Sequence, residues 1–244
     1  MQELQELYEI YNDVVLKHLR NPRQYDEYGK RVSVDSDMYK AIIKYYGYDK
    51  KPEIVSDEDY ISMDKKEVYH GFTHFSHGLE LLLSDDKYNL GTGGYTPGLF
   101  FTSDKSVGVW YTNHGVEGLD EDEERVLNVK INSDNFMEFD ELQDLIVSPI
   151  LDLPPNTKQE HREKIKKLYA FCKKMKDDGK SVDGFLKTMK KLSNFGVYLG
   201  LDWIEEQDYE HTIVFNRNCL SVSESTAKRF MGKGEKLKDL PQII

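Results

Sequence analysis

Tyr69-His70-Gly71 joins an imidazole to a residue that has no side chain. Placed at a strand end, the imidazole can bond a sugar hydroxyl. The glycine leaves its backbone N–H and C=O open to a flat ligand, and that donor–acceptor pair matches a carboxamide. Some thirty residues on, Pro97-Gly98-Leu99-Phe100-Phe101-Thr102-Ser103 runs into Ser106-x-Gly108-x-Trp110-Tyr111. Two aromatic rings on adjacent elements can sandwich a planar heterocycle, and their faces favour a cationic one. Late in the chain, Glu205, Glu206, Asp208 and Glu210 precede the apolar run from Thr212 to Phe215. A carboxylate there can stabilise positive charge developing on a bound substrate.

Taken together, residues 69–111 resemble the NAD grip of the ADP-ribosyltransferases whose signature is His, Tyr, Glu, the group of diphtheria toxin and the poly(ADP-ribose) polymerases. Gly98 opens and Tyr111 closes the second segment at the interval of thirteen positions that the group shows. The resemblance implies that His70 bonds the adenosine-side ribose and that the Gly71 backbone holds the nicotinamide carboxamide. It also implies that Tyr111 stacks on the nicotinamide ring, with Phe100 and Thr102 lining the same site. Glu210 is implied as the catalytic carboxylate, with Gln207 and Asp208 meeting the acceptor. Phe100 stands where the family has Tyr, which keeps the ring and loses the hydroxyl. Without a gap His211, not Glu210, meets the family Glu. A one-residue slip in a strand moves a side chain to the opposite face, so Glu210 needs a bulge; otherwise Glu205, Glu206 or Asp208 serves, or the site is inactive.

The implied activity is transfer of single ADP-ribose units from NAD to a protein or nucleic acid, with no metal, in a toxin, an effector or a phage or bacterial defence factor. One alternative is an inactive NAD-binding or protein-interaction module of the same fold. Another is a metal site on His70, His74 and His77, which would share a face if that segment were helical. Gly91, Gly93 and Gly94 precede a strand instead of following one, which argues against a Rossmann phosphate loop.

These residues need elements to hold them. The pattern predicts helices over 1–20 and 36–47 and a charged linker over 50–59. It predicts strands at 67–71, 99–102, 125–131, 195–204 and 211–216. Helices are predicted at 76–83 and from 106, and a lysine-rich helical hairpin over 157–193, in which Cys172 lies on an apolar stripe. The expected fold is therefore α+β: a split β-sandwich of the ADP-ribosyltransferase kind over 61–244, with a helical extension over 1–60 and a helical insertion at about 157–193. The acidic run 117–124 reads as a solvated loop. A net charge of −11 argues against a protein whose main task is gripping duplex nucleic acid, although it leaves room for a local basic patch. Two cysteines exclude a disulfide framework. The N-terminus lacks the pattern of a signal peptide, and no run is long enough to cross a membrane, so a cytoplasmic protein or a delivered effector is expected.

Overall fold

The computed structural model describes residues 1–25, 31–83, 97–113, 121–206 and 211–237. In chain order its elements are α1 (Gln2–Arg20), α2 (Val34–Tyr46), β1 (Glu53–Val55), α3 (Asp57–Ser62), β2 (Lys66–Gly71), α4 (Phe75–Leu83), β3 (Leu99–Thr102) and α5 (Lys105–Tyr111). They continue with β4 (Val126–Ile131), β5 (Phe136–Glu138), α6 (Phe139–Val147), α7 (Gln159–Asp177), α8 (Asp183–Met189) and α9 (Leu192–Leu199). The last are β6 (Trp203–Glu206), β7 (His211–Val214), β8 (Leu220–Ser223) and α10 (Glu224–Leu237). The chain is thus mixed α and β. Among the described residues no helix is long and apolar enough to cross a membrane.

Packing divides the chain into two units, residues 1–47 with 137–201, and 48–136 with 202–244. The expected N-terminal extension and the expected insertion fall largely into the first unit, which is helical, while residues 48–60 belong to the second. In the helical unit, Tyr8 of α1 meets Phe171 of α7 and Phe185 of α8 edge to face, at 6.1 and 5.4 Å between ring centres. The Tyr8 hydroxyl donates to the Ser181 carbonyl (3.1 Å). Ser33 caps α2 by accepting the Ser36 N–H (3.1 Å), and Gly47 ends it in the left-handed conformation.

One sequence expectation fails here. Residues 195–199 are not strand but part of α9. Phe195, Val197 and Leu199 alternate, yet every residue from Ser193 to Leu199 is buried. A helix enclosed on all sides carries no polar stripe, so its period is hidden. Gly200, at φ 92°, stops it, and the strand begins only at Trp203. The expected linker over 50–59 is likewise structured: β1 pairs parallel to β8, and Ser56 caps α3 by accepting the Asp59 N–H (3.1 Å). Cys172 is buried on the α7 stripe, where desolvation pushes its thiol up to about 11.

The second unit carries an eight-stranded mixed sheet in the order β1-β8-β4-β2-β3-β7-β6-β5. β2 and β4 share a six-residue ladder, and β3 pairs with β7 over four residues, as β7 does with β6. Between these two well-paired halves, β2 and β3 share one register pair, Tyr69 with Thr102. Strand alternation then sorts the side chains. One face carries Val68, Leu99, Phe101, Val129, Val214 and Trp203, all buried. The other carries Tyr69, Gly71, Phe100, Thr102, Glu206 and His211.

Arg217, fully buried, fastens the connection ahead of β8. Its guanidinium donates to the carbonyls of Asp49, Lys50 (3.1 Å) and Leu81 (2.8 Å). Arg217→Met would leave three carbonyls without this donor. It should cost about 3 kcal/mol or more, read as a lower urea midpoint in the fluorescence of Trp203. A loss under about 1 kcal/mol would show that these bonds contribute little.

Candidate functional site

The site is built where the β2–β3 ladder stops. Phe72 N–H donates to the Arg125 carbonyl (3.0 Å). In an antiparallel ladder the backbone groups of alternate residues point to alternate sides. Those of Tyr69 and Gly71 therefore face β3. Tyr69 meets Thr102 there, but among the described residues the pairing goes no further. Gly71 comes next, level with Phe100. The Phe100 carbonyl, which would have accepted from Gly71, instead accepts from His70 Nδ1.

That bond fixes the imidazole's chemistry. A carbonyl only accepts, so Nδ1 carries the hydrogen. The ring lies 4.3 Å from the Phe72 ring and 5.6 Å from the Phe101 ring, centre to centre. Burial there holds its pKa below the ordinary 6.5, with the Phe100 bond opposing the shift and His77 adding to it. The neutral imidazole so favoured keeps a lone pair on Nε2, suited to accept from a hydroxyl.

Helix α5 presses against the same point of β2. A Cβ at Gly71 would collide with the Gly108 carbonyl and stand 3.0 Å from the Thr112 nitrogen. A Cβ at Gly108 would lie 3.1 Å from the Tyr69 Cβ. Two glycines thus let strand and helix approach backbone to backbone. Asp104 starts the helix by accepting the Ser106 N–H (2.7 Å). Tyr111 closes it within the turn that touches Gly71, half-exposed and edge-on to Trp110 at 4.9 Å. Thr102 is buried, and its hydroxyl accepts the Asp104 N–H (3.1 Å), so it shapes the turn into α5.

On the other side of β3, the β7 register puts His211 opposite Thr102, and the β6 register puts Glu206 opposite His211. His211 Nδ1 lies 3.6 Å from the carboxylate of Glu206, which is 8% exposed. The Phe100 ring meets His211 edge-on at 6.4 Å. Alternation sends Glu205 to the opposite face, where Lys66 pairs with it and stands 5.0 Å over the Trp203 ring. Glu210, Gln207 and Asp208 lie outside the described residues.

The structure therefore brings Gly71, Phe100, Thr102 and the Tyr111 end of α5 to one break in the sheet, while alternation sends the His70 ring to the opposite face, against Phe72 and Phe101, from which it reaches the break through the Phe100 carbonyl. The sequence reading treated His211 as an obstacle to register and missed its pairing with Glu206. That pairing follows from the β6–β7 register, which residue types alone do not reveal. The helical metal reading of His70, His74 and His77 fails on its premise. His70 belongs to a strand, and among the described residues no group of three His, Cys, Asp or Glu is set to hold a metal. A cavity of about 390 Å³ lies beside Tyr69 over β2 and β4, lined by Glu67, Lys105, Asn128 and Arg229 and not by Phe100 or His211. No protein-family model, curated protein or solved structure matches the chain.

Two outcomes follow. Gly71→Ala should force strand and helix apart at a cost of about 2–3 kcal/mol, seen as a melting temperature lower by roughly 4–10 °C; an unchanged melt would mean that the contact yields freely. His70 is held neutral by folding, so its contribution is complete above 6.5 and is lost as pH falls through its lowered folded value. The stability difference between wild type and His70→Asn should shrink as pH falls from 6.5 toward that lowered value and level off below it. A pH-independent difference would remove burial as the cause.

Proposed function

We propose that this chain binds NAD and transfers single ADP-ribose units to a macromolecule, releasing nicotinamide. The observation that carries the reading is the break between β2 and β3. There a strand glycine turns its N–H and C=O toward an interrupted ladder, beside a neutral imidazole and under a helix that ends in Tyr111. These donors fit the ligand. The Gly71 N–H and C=O complement a carboxamide, His70 Nε2 accepts from a ribose hydroxyl, and Phe100 and Tyr111 supply rings to flank a pyridinium. The arrangement of two paired half-sheets joined at one residue supports the split β-sandwich of the His-Tyr-Glu transferases.

When the bond between nicotinamide and ribose breaks, its electron pair leaves with neutral nicotinamide and the ribose becomes oxocarbenium-like. The acceptor's nucleophile bonds to that carbon and gives up its proton. Glu206 shares a face with Phe100 and stands beside His211, whereas Glu67 on that face is held by the Tyr60 and Tyr69 hydroxyls, so we assign Glu206 to stabilise the ribose charge. His211 beside it takes the acceptor's proton. Glu210 remains the second candidate, because it immediately precedes His211 in the sequence. A toxin, an effector or a phage or bacterial defence factor is the setting that the resemblance suggests.

The test is incubation of the purified chain with NAD, followed by nicotinamide release, and of lysate with labelled NAD followed by nuclease or protease. Glu206→Gln should lower release about 100-fold while NAD binding persists, and Tyr111→Ala should weaken binding itself. A full effect in Glu210→Gln and none in Glu206→Gln would reassign the carboxylate. Binding without release would favour a second reading, an inactive module, which His211 at the family's Glu position motivates. No binding at all would end both.

A further inference from the structure

The acidic chain gathers positive charge in one stretch. Residues 157–193 hold twelve Lys and Arg against five Asp and Glu, although the whole chain carries −11. The structure gives this excess a shape. α7 turns Ile165, Leu168, Phe171, Cys172 and Met175 into the core of the helical unit. Its opposite face carries Lys166, Lys167, Lys173 and Lys174, all exposed, with the exposed Glu160 and Glu163 before them and Asp177 and Asp178 after them. Lys166 to Lys173 and Lys167 to Lys174 each span two turns, about 10 Å, so the ammonium groups form two parallel rows. Lys173 pairs with Asp177 at 2.8 Å, whereas Lys166, Lys167 and Lys174 make no ion pair with a described residue. Exposed Lys176, 3.9 Å from Asp183, borders the Lys166–Lys173 row, and exposed Lys180 follows the end of the helix.

We infer that this face of α7 docks the phosphate backbone of a nucleic acid. The surface has the charge sign that phosphates require, and association would release condensed counterions. The apolar stripe of α7 is already buried and only Ala170 stands between the lysine rows, so no side chain is available to enter a bilayer. The face also carries no aromatic anchor of the kind that dominates protein interfaces. Lysines act as flexible point charges, which position a backbone without reading its sequence. The inference stands apart from the NAD reading and needs only the helical unit's surface.

The test uses the full chain and three fluorescein-labelled 20-nucleotide probes: single-stranded RNA, single-stranded DNA and duplex DNA. Anisotropy is followed across a salt series. The expected result is binding to at least one probe, with a slope of log affinity against log salt of about −3 for four lysines on a single strand. Changing Lys166, Lys167, Lys173 and Lys174 together to Gln should weaken binding at least tenfold and flatten the slope. The same four changed to Arg should retain it. Circular dichroism checks that the helices persist, and the pair Lys166→Gln with Lys174→Gln, expected to lose part of the slope, serves if the fourfold variant does not fold. The probe preferred distinguishes RNA from DNA. Absence of salt-sensitive binding to all three probes overturns the inference, as does a Gln variant equal to wild type. Tighter binding to phosphatidylserine vesicles or to polyglutamate than to any oligonucleotide also overturns it.

Discussion

The second unit is organised around a ladder that stops early. β2 is fully paired on the β4 side, whereas on the β3 side Tyr69 with Thr102 is the one register pair among the described residues. A backbone group inside a protein needs a partner, so a break of this kind persists only when something else satisfies it. His70 does so for Phe100, whose carbonyl it binds through Nδ1. The same bond sets the tautomer, leaving Nε2 as the acceptor nitrogen of the ring.

The same break explains why two glycines matter. α5 is short and gains little from its own hydrogen bonds. It is held by lying directly on β2 at Gly71, with Gly108 as its contact. That closeness brings the last turn of α5, and with it Tyr111, beside the Gly71 end of β2. Farther along the same sheet face, the β3–β7–β6 registers carry Thr102, His211 and Glu206 in one row. Position on the face, not position in the sequence, separates Glu206 from Glu205, which Lys66 neutralises on the other side.

Much of this was legible beforehand, for a physical reason in each case. β2, β3, β4 and α7 have strong periodicity or clear stops, and the residues from Tyr69 to Tyr111 are local enough for spacing to mean proximity. The α9 helix was not legible, because burial on every side erases the polar stripe that marks a helix. β1 was hidden by its brevity and charged neighbours, and its pairing with β8 joins residues far apart in the chain. The pairing of Glu206 with His211 depends on hairpin register, which the turn sets and composition does not reveal.

The order of the segments has a consequence for biosynthesis. α1 and α2 leave the ribosome well before the helices that share their unit, α7 to α9, which lie more than a hundred residues downstream. At about 5–20 residues per second, the nascent chain holds Leu4, Leu7, Met38 and Ile42 without their final cover for many seconds, while most of another unit is translated in between. An amphipathic pair kept waiting in this way is a natural client for a holding chaperone, and truncation before residue 201 would strand it permanently.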